Sequence, residues 1–203
     1  GRMLREIGDP ADAADVIAQA LELAPDWAEG RFALAEALAE ANRKTEAVAA
    51  YRAYLALDSA DSMGATIRLG LLDPTVSPAG LPEAYVRRLF DEYAPRFDTS
   101  LVENLRYRAP EALREAIDRL FPGRRFTAVL DLGCGTGLAG AAFRPITDWL
   151  EGIDLSERMI AEAKNKGIYD QLADGEMLAH LDAAQRTYDL MIAADVLVYV
   201  GAL

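Results

Sequence analysis

Apolar residues over the first 72 positions recur at the three- and four-residue spacing of amphipathic helices, in a stretch rich in Ala and Leu. "LDPTVSPAGLPEA" then places three prolines and a glycine within thirteen residues and predicts a linker. Helical spacing resumes at Pro82, where Tyr85, Leu89, Tyr93 and Phe97 form one stripe unless Pro95 interrupts it. A second helix is predicted from Pro110 to Leu120, stopped by "FPG". From residue 125 the period changes. "FTAVLDL", "DWLEGID", "IYDQLAD" and "YDLMIAAD" read as strands, separated by the helical stretches "LAGAAF", "SERMIAEAKNKG" and "GEMLAHLDAA". Ser156 suits the N-cap of the middle helix, and Gly167 lies just past its end. Strands alternating with helices predict an α/β fold, a parallel sheet with helices on both faces.

An offset of 34 residues aligns "GDPADAADVIAQALELAPDW" with "NRKTEAVAAYRAYLALDSAD", setting Ala13 on Ala47, Ile17 on Tyr51, Ala20 on Tyr54, Leu21 on Leu55 and Leu23 on Leu57. That period resembles the tetratricopeptide repeat, with Pro25 closing the first copy and Ser59 in its place in the second. The resemblance covers about one and a half repeats, residues 8 to 72. Such units bury their faces on neighbours, so this short array is expected to lean on the following domain or to continue a longer one.

The expected organisation is a repeat-like helical region at 1–72, a linker at 73–81, and a domain at 82–203. Within that domain, cap helices occupy 82–124 and the sheet occupies 125–203.

Charge and composition narrow the function. Lys and Arg number 21 against 33 acids, a net charge of −12, which argues against a nucleic-acid or membrane-surface binder. Arg87, Arg88, Arg106, Arg108, Arg114, Arg124 and Arg125 lie near mid-chain but are scattered, as solvated helix faces are. Cys134 is the single cysteine, so no internal disulfide forms and a reducing compartment is expected. With no long apolar run and no signal-like start, the reading is cytoplasmic.

"VLDLGCGTG" carries the chemistry. Gly133, Gly135 and Gly137 follow a strand and open a helix, where a bare backbone can press against a ligand and offer N–H groups. Asp131 precedes them; an acid there repels a phosphate and suits a cationic ligand. Asp154 ends the next strand, where an acid accepts both hydroxyls of a ribose. Nicotinamide-binding sheets carry a comparable acid ~20 residues past a GxGxxG turn, but this chain has GxGxG, which disfavours a dehydrogenase.

Together, "VLDLGCGTG", "GIDLS" and "YDLMIAADVLVYV" resemble the S-adenosylmethionine (SAM)-dependent methyltransferases of the class I, Rossmann-like fold. The resemblance implies SAM as cofactor. It also implies that Asp131, Gly133, Cys134, Gly135 and Gly137 line its amino-acid end and that Asp154 takes the ribose. Leu155 and Ser156 would then flank the adenine, and Asp174 would meet the adenine amino group, with Gly175, neighbouring Glu176 and Ala194 completing the wall. Asp195 would face the methyl group as a base or substrate ligand, or else cap the next helix; Tyr199 stands where a histidine is common.

"FDEYAPRFDTSLVENLRYRAPEAL" resembles the segment before the sheet in bacterial methyltransferases that carry tetratricopeptide repeats. Tyr93, Phe97, Tyr107 and Arg108 are then lid candidates, the arginine suited to the cofactor carboxylate. His180, the single histidine, reads as a surface residue, and no metal-ligand cluster is seen.

The family sheet has seven strands, whereas the fourth lies just before Leu203. The expectation is therefore the cofactor half of the sheet, with a fourth strand apolar on both faces, an unpaired far edge, and self-association through that edge. The acceptor is not specified by these residues. A protein partner for the helical repeats is expected. The rival reading is a non-catalytic interaction module or an inactive cofactor-binding fragment.

Overall fold

The computed structural model describes residues 9–76 and 80–200, so residues 77–79 of the expected linker lie outside the described residues, as do the first eight and last three. The chain divides into two units between Val86 and Arg87.

The first unit is helical: α1 (Pro10–Leu23), α2 (Ala28–Glu40), α3 (Lys44–Leu57) and α4 (Ala65–Leu72). Asp9 caps α1 by accepting the Asp12 N–H at 3.1 Å, and Pro10 follows where a missing N–H costs nothing. Alanines make close helix approach possible: Ala13, Ala35, Ala37 and Ala47 are fully buried. Phe32 wedges between Tyr51 and Tyr54 in edge-to-face contacts at 5.6 and 5.4 Å. The Tyr54 hydroxyl donates to Asp58 at 2.5 Å and accepts the Met63 N–H at 2.9 Å, fixing the loop that follows α3. Helices α1 and α3 are each 14 residues long and begin at equivalent points of the 34-residue offset, Pro10 and Lys44. The matched pair at its end, Leu23 and Leu57, is exposed in both copies.

Helix α5 (Glu83–Tyr93) spans the division. Pro95 does interrupt the stripe, turning Ala94–Arg96 into a 3₁₀ turn, and a π-helical turn covers Thr99–Asn104. Tyr93 and Phe97 nonetheless meet edge to face at 5.5 Å, and Phe90, rather than exposed Leu89, joins Phe97 at 6.3 Å. Helix α6 (Ala109–Leu120) follows, with Pro110 in its first turn.

The sheet consists of β1 (Phe126–Leu132), β2 (Thr147–Asp154), β3 (Gln171–Asp174) and β4 (Leu190–Ile192), all parallel, in the order β3-β2-β1-β4. Helices α7 (Leu138–Phe143), α8 (Glu157–Lys166) and α9 (Met177–Ala183) make the crossovers. Alternate β1 residues enter different cores: Val129 packs with Phe143 and Leu150, while Leu130 packs with Ile153. Both faces of β1 are therefore covered, as its unbroken apolar run requires.

β4 differs from expectation. It has three residues, Met191 is 50% exposed, and within the described sheet the strand is paired with β1 alone. The apolar run after it is not strand. The chain takes a left-handed turn at Asp195 (φ 55°), and Leu197–Tyr199 form a 3₁₀ turn with Val198 75% exposed.

His180 also departs from the expected surface position. Its ring is largely buried, with Nε2 3.0 Å from Oε1 of the buried Glu151 on β2. The Tyr188 hydroxyl and the Gln171 amide donate to the same carboxylate at 3.0 and 3.3 Å, so three donors from separate segments compensate one buried acid.

Candidate functional site

β1 and β2 end side by side, with Asp131 opposite Gly152 and Leu132 opposite Ile153. The glycine turn rises from that point. Gly133, Gly135 and Gly137 all have positive φ (62°, 53° and 92°), conformations that disfavour side chains. At Gly133 space is equally decisive: an added Cβ would lie 2.2 Å from Val196 Cγ2. At Gly135 the nearest atom to an added Cβ is in the Phe97 ring, at 3.7 Å.

The turn is fixed by its neighbours. The Cys134 N–H donates to the Ile153 carbonyl at 2.9 Å, and the Gly135 N–H donates to Asp154 Oδ2 at 2.8 Å. Asp154 Oδ1 accepts the Ser156 N–H at 2.9 Å, and its carbonyl accepts the Gly175 N–H at 2.9 Å. Burial raises the Asp154 carboxyl above its ordinary range. The buried Thr136 hydroxyl donates to Asp98, which Lys166 also pairs at 2.6 Å.

Beneath the turn, Asp131 is wholly buried. Its Oδ2 accepts the Tyr169 hydroxyl at 2.6 Å, and its Oδ1 has no partner. Burial first, then the nearby Asp154 charge, pushes its carboxyl up to about 7, against the Tyr169 bond and the Gly140 N–H. The sequence suggested an acid offered openly to a ligand; this one is instead held under the backbone by a tyrosine. Cys134 is buried beside it with its thiol raised by burial, consistent with a small packing residue.

The structure therefore brings together Asp131, Gly133, Cys134, Gly135, Gly137, Asp154 and Gly175, with Tyr93 and Phe97 packed together and the Phe97 ring near Gly135. Leu155 is partly buried beside Asp154, and exposed Asp174 ends β3 directly opposite it. Tyr107 stands with Asp195: burial and hydrogen bonding to that carboxylate raise the phenol well above its ordinary value.

Other candidates are engaged elsewhere. Arg108 has a side chain 72% exposed and pairs with Glu115 at 3.3 Å, because α6 carries both outward. Ser156 is buried, its hydroxyl donating to Asp91 at 2.6 Å and accepting the Met159 N–H at 3.1 Å, so it caps α8. Glu176 is spent capping α9, accepting from the Leu178 and Ala179 N–H groups at 3.0 and 2.7 Å. Ala194 packs into the core with Phe126 and Val129. Tyr199 meets Phe90 edge to face at 5.1 Å, and Asp195 caps nothing: Val196 holds the cap position of the following turn, without a side-chain bond.

Sequence reading missed Tyr169, Asp91, Asp98, Lys166 and Val196. Tyr169 left one signal, in glycines outside any turn: added Cβ atoms at Gly140 and Gly152 would lie 2.4 and 2.8 Å from its ring.

Among the described residues no group of three His, Cys, Asp or Glu could hold a metal ion, and no helix is long and apolar enough to cross a membrane.

Methyltransferase-like protein 27 of Homo sapiens is 36% identical over 97 residues, 46% of this chain and 39% of that protein, so the chain spans well under half of that relative's length. The DhpI–SAM–HEP complex is similar at 25% identity over 58% of this chain and 52% of that one, with a TM-score of 0.46. The magnesium protoporphyrin IX methyltransferase of Synechocystis PCC 6803 with bound SAM is similar at 19% identity over 58% and 63%, with a TM-score of 0.47. The part of the chain that holds the sheet and its glycine turn, residues 105–202, matches the family model of the methyltransferase domain.

Proposed function

We propose that the chain is a SAM-dependent methyltransferase, its cofactor held by the glycine turn and Asp154. The observation that carries this reading is the Asp154 carboxylate, standing at the end of β2 and tied to the Gly135 N–H. The residues fit such a cofactor: the turn presents backbone without side chains, and a buried carboxylate oxygen of Asp131 lacks a donor beneath it. Bound there, SAM supplies a methyl group made electrophilic by its sulfonium.

The chain's own residues do the rest. Asp154 accepts the ribose hydroxyls, Asp174 stands one strand further along, and Asp131 favours the ammonium end. Phe90, Tyr93 and Phe97 exclude water from above the turn. Asp195, with Tyr107 bonded to it, orients the acceptor and takes its proton where it has one to lose.

Parallel calorimetric titrations with S-adenosylhomocysteine and NAD test the reading. S-adenosylhomocysteine alone is expected to bind; binding of NAD alone overturns it. We further propose that α1–α4 are tetratricopeptide-like units that present a protein partner, supported by the equal lengths of α1 and α3 at the 34-residue offset.

A further inference from the structure

We propose that Tyr169 is the positioning residue of this cofactor site, its hydroxyl holding the Asp131 carboxylate as an ionisable group beneath the glycine turn. The inference rests on the reading of the turn as a SAM site. Tyr169 follows α8 and precedes β3, and its side chain reaches under the turn. Added Cβ atoms at Gly137, Gly140 and Gly152 would lie 3.0, 2.4 and 2.8 Å from its ring, and the one at Gly140 also 2.2 Å from its hydroxyl oxygen. Glycines on the turn, on α7 and on β2 thus vacate one volume, and a single phenol fills it. Phenylalanine would fill the part of that volume the ring takes, leaving only the hydroxyl's place beside Gly140. The hydroxyl, however, is directed at Asp131 Oδ2, at 2.6 Å, in a place sealed from solvent.

The remaining surroundings oppose the anion. Burial and Asp154 raise the Asp131 carboxyl, and the Cys134 thiol is raised by burial first and then by the Asp131 charge. Only the Tyr169 hydroxyl and the Gly140 N–H favour ionisation. With the carboxyl at about 7, the cofactor-free site is part protonated near neutral pH. An ammonium group arriving above it would draw that proton off. The hydroxyl of Tyr169 sets the pH at which this happens.

Tyr169→Phe keeps the ring and removes the donor. S-adenosylhomocysteine affinity is measured by calorimetry from about pH 5 to about pH 9, and cofactor-free melting is followed over the same range, for wild type, Tyr169→Phe and Asp131→Asn. In wild type, affinity is expected to rise with pH through neutrality. In Tyr169→Phe the rise should move up by about one pH unit, giving roughly fivefold weaker binding at pH 7 that recovers at the alkaline end. The cofactor-free melting profile should move by the same amount, and Asp131→Asn should flatten both. Profiles in Tyr169→Phe that match wild type overturn the inference and leave Tyr169 as filler. If S-adenosylhomocysteine binds at no pH, the cofactor reading fails, and the melting profiles still decide the Tyr169–Asp131 link. Should Tyr169→Phe not fold, wild-type titrations at pH 7 in two buffers of different ionisation enthalpy decide instead: proton release on binding is expected, and its absence overturns the inference.

Discussion

Asp154 Oδ2 accepts the N–H of Gly135 at 2.8 Å, so the acid that ends β2 also holds the turn that ends β1. Turn geometry, and with it the proposed ligand recognition, depends on this one carboxylate. Asp154→Ala is expected to weaken S-adenosylhomocysteine binding by about 1.5–3 kcal/mol, the usual worth of hydrogen bonds to a charged group. Asp154→Asn, which keeps one acceptor oxygen, should lose less. Calorimetric dissociation constants check both, and an unchanged constant in Asp154→Ala would mean that the carboxylate serves the turn alone.

Gly133→Ala introduces two separable faults. The left-handed backbone costs about 1–2 kcal/mol for a residue with a Cβ, and that Cβ collides with Val196. Val196→Gly relieves only the collision, whereas Val196→Ala would leave its Cβ 2.6 Å away. The double variant should therefore regain part of the stability lost by Gly133→Ala, a coupling visible in urea midpoints. Strict additivity would show that the Val196 contact yields without cost.

Asp131 carries a pH signature of its own. Its folded-state value of about 7 lies above the ordinary 3.8, so the folded protein binds the proton more tightly than the unfolded chain. Its contribution to stability is therefore full below about pH 4 and is lost as the pH rises toward 7, at up to ~1.4 kcal/mol per unit. Wild-type stability relative to Asp131→Asn, measured by cofactor-free denaturation, should fall over that window and level off above it. A constant difference would contradict the burial argument.

Ser156→Ala removes both the α8 cap and the partner of Asp91. A loss of about 1 kcal/mol is expected from the cap, with more from the Asp91 carboxylate, left with the Arg158 N–H at 3.4 Å. Denaturant midpoints measure the total. Asp91→Asn, which leaves the cap intact, should cost less than Ser156→Ala.

Much of this architecture was legible along the chain. β1 and α7 begin and end where "FTAVLDL" and "LAGAAF" place them, because a buried strand and a glycine-started helix are specified by adjacent residues. β4 was read as too long because "VLVYV" has strand composition, whereas the left-handed Asp195 breaks the run. Arg108 has the right chemistry for a cofactor carboxylate, but α6 turns it toward Glu115. Tyr169 and Asp131 are 38 positions apart, and Asp91 and Ser156 are 65 apart. No local spacing encodes such pairs; they exist only once the strands are laid side by side.

Helix α9 has no fully buried residue, and polar ties at His180 and Glu176 supplement its partly buried Met177 and Leu181. Such a helix is moored more than it is embedded. Its amides should exchange with solvent well before those of β1, through local openings that leave the rest of the sheet intact. The wall beside Asp174 would then be the most pliant border of the site, able to reshape around a bound molecule while the glycine turn stays rigid.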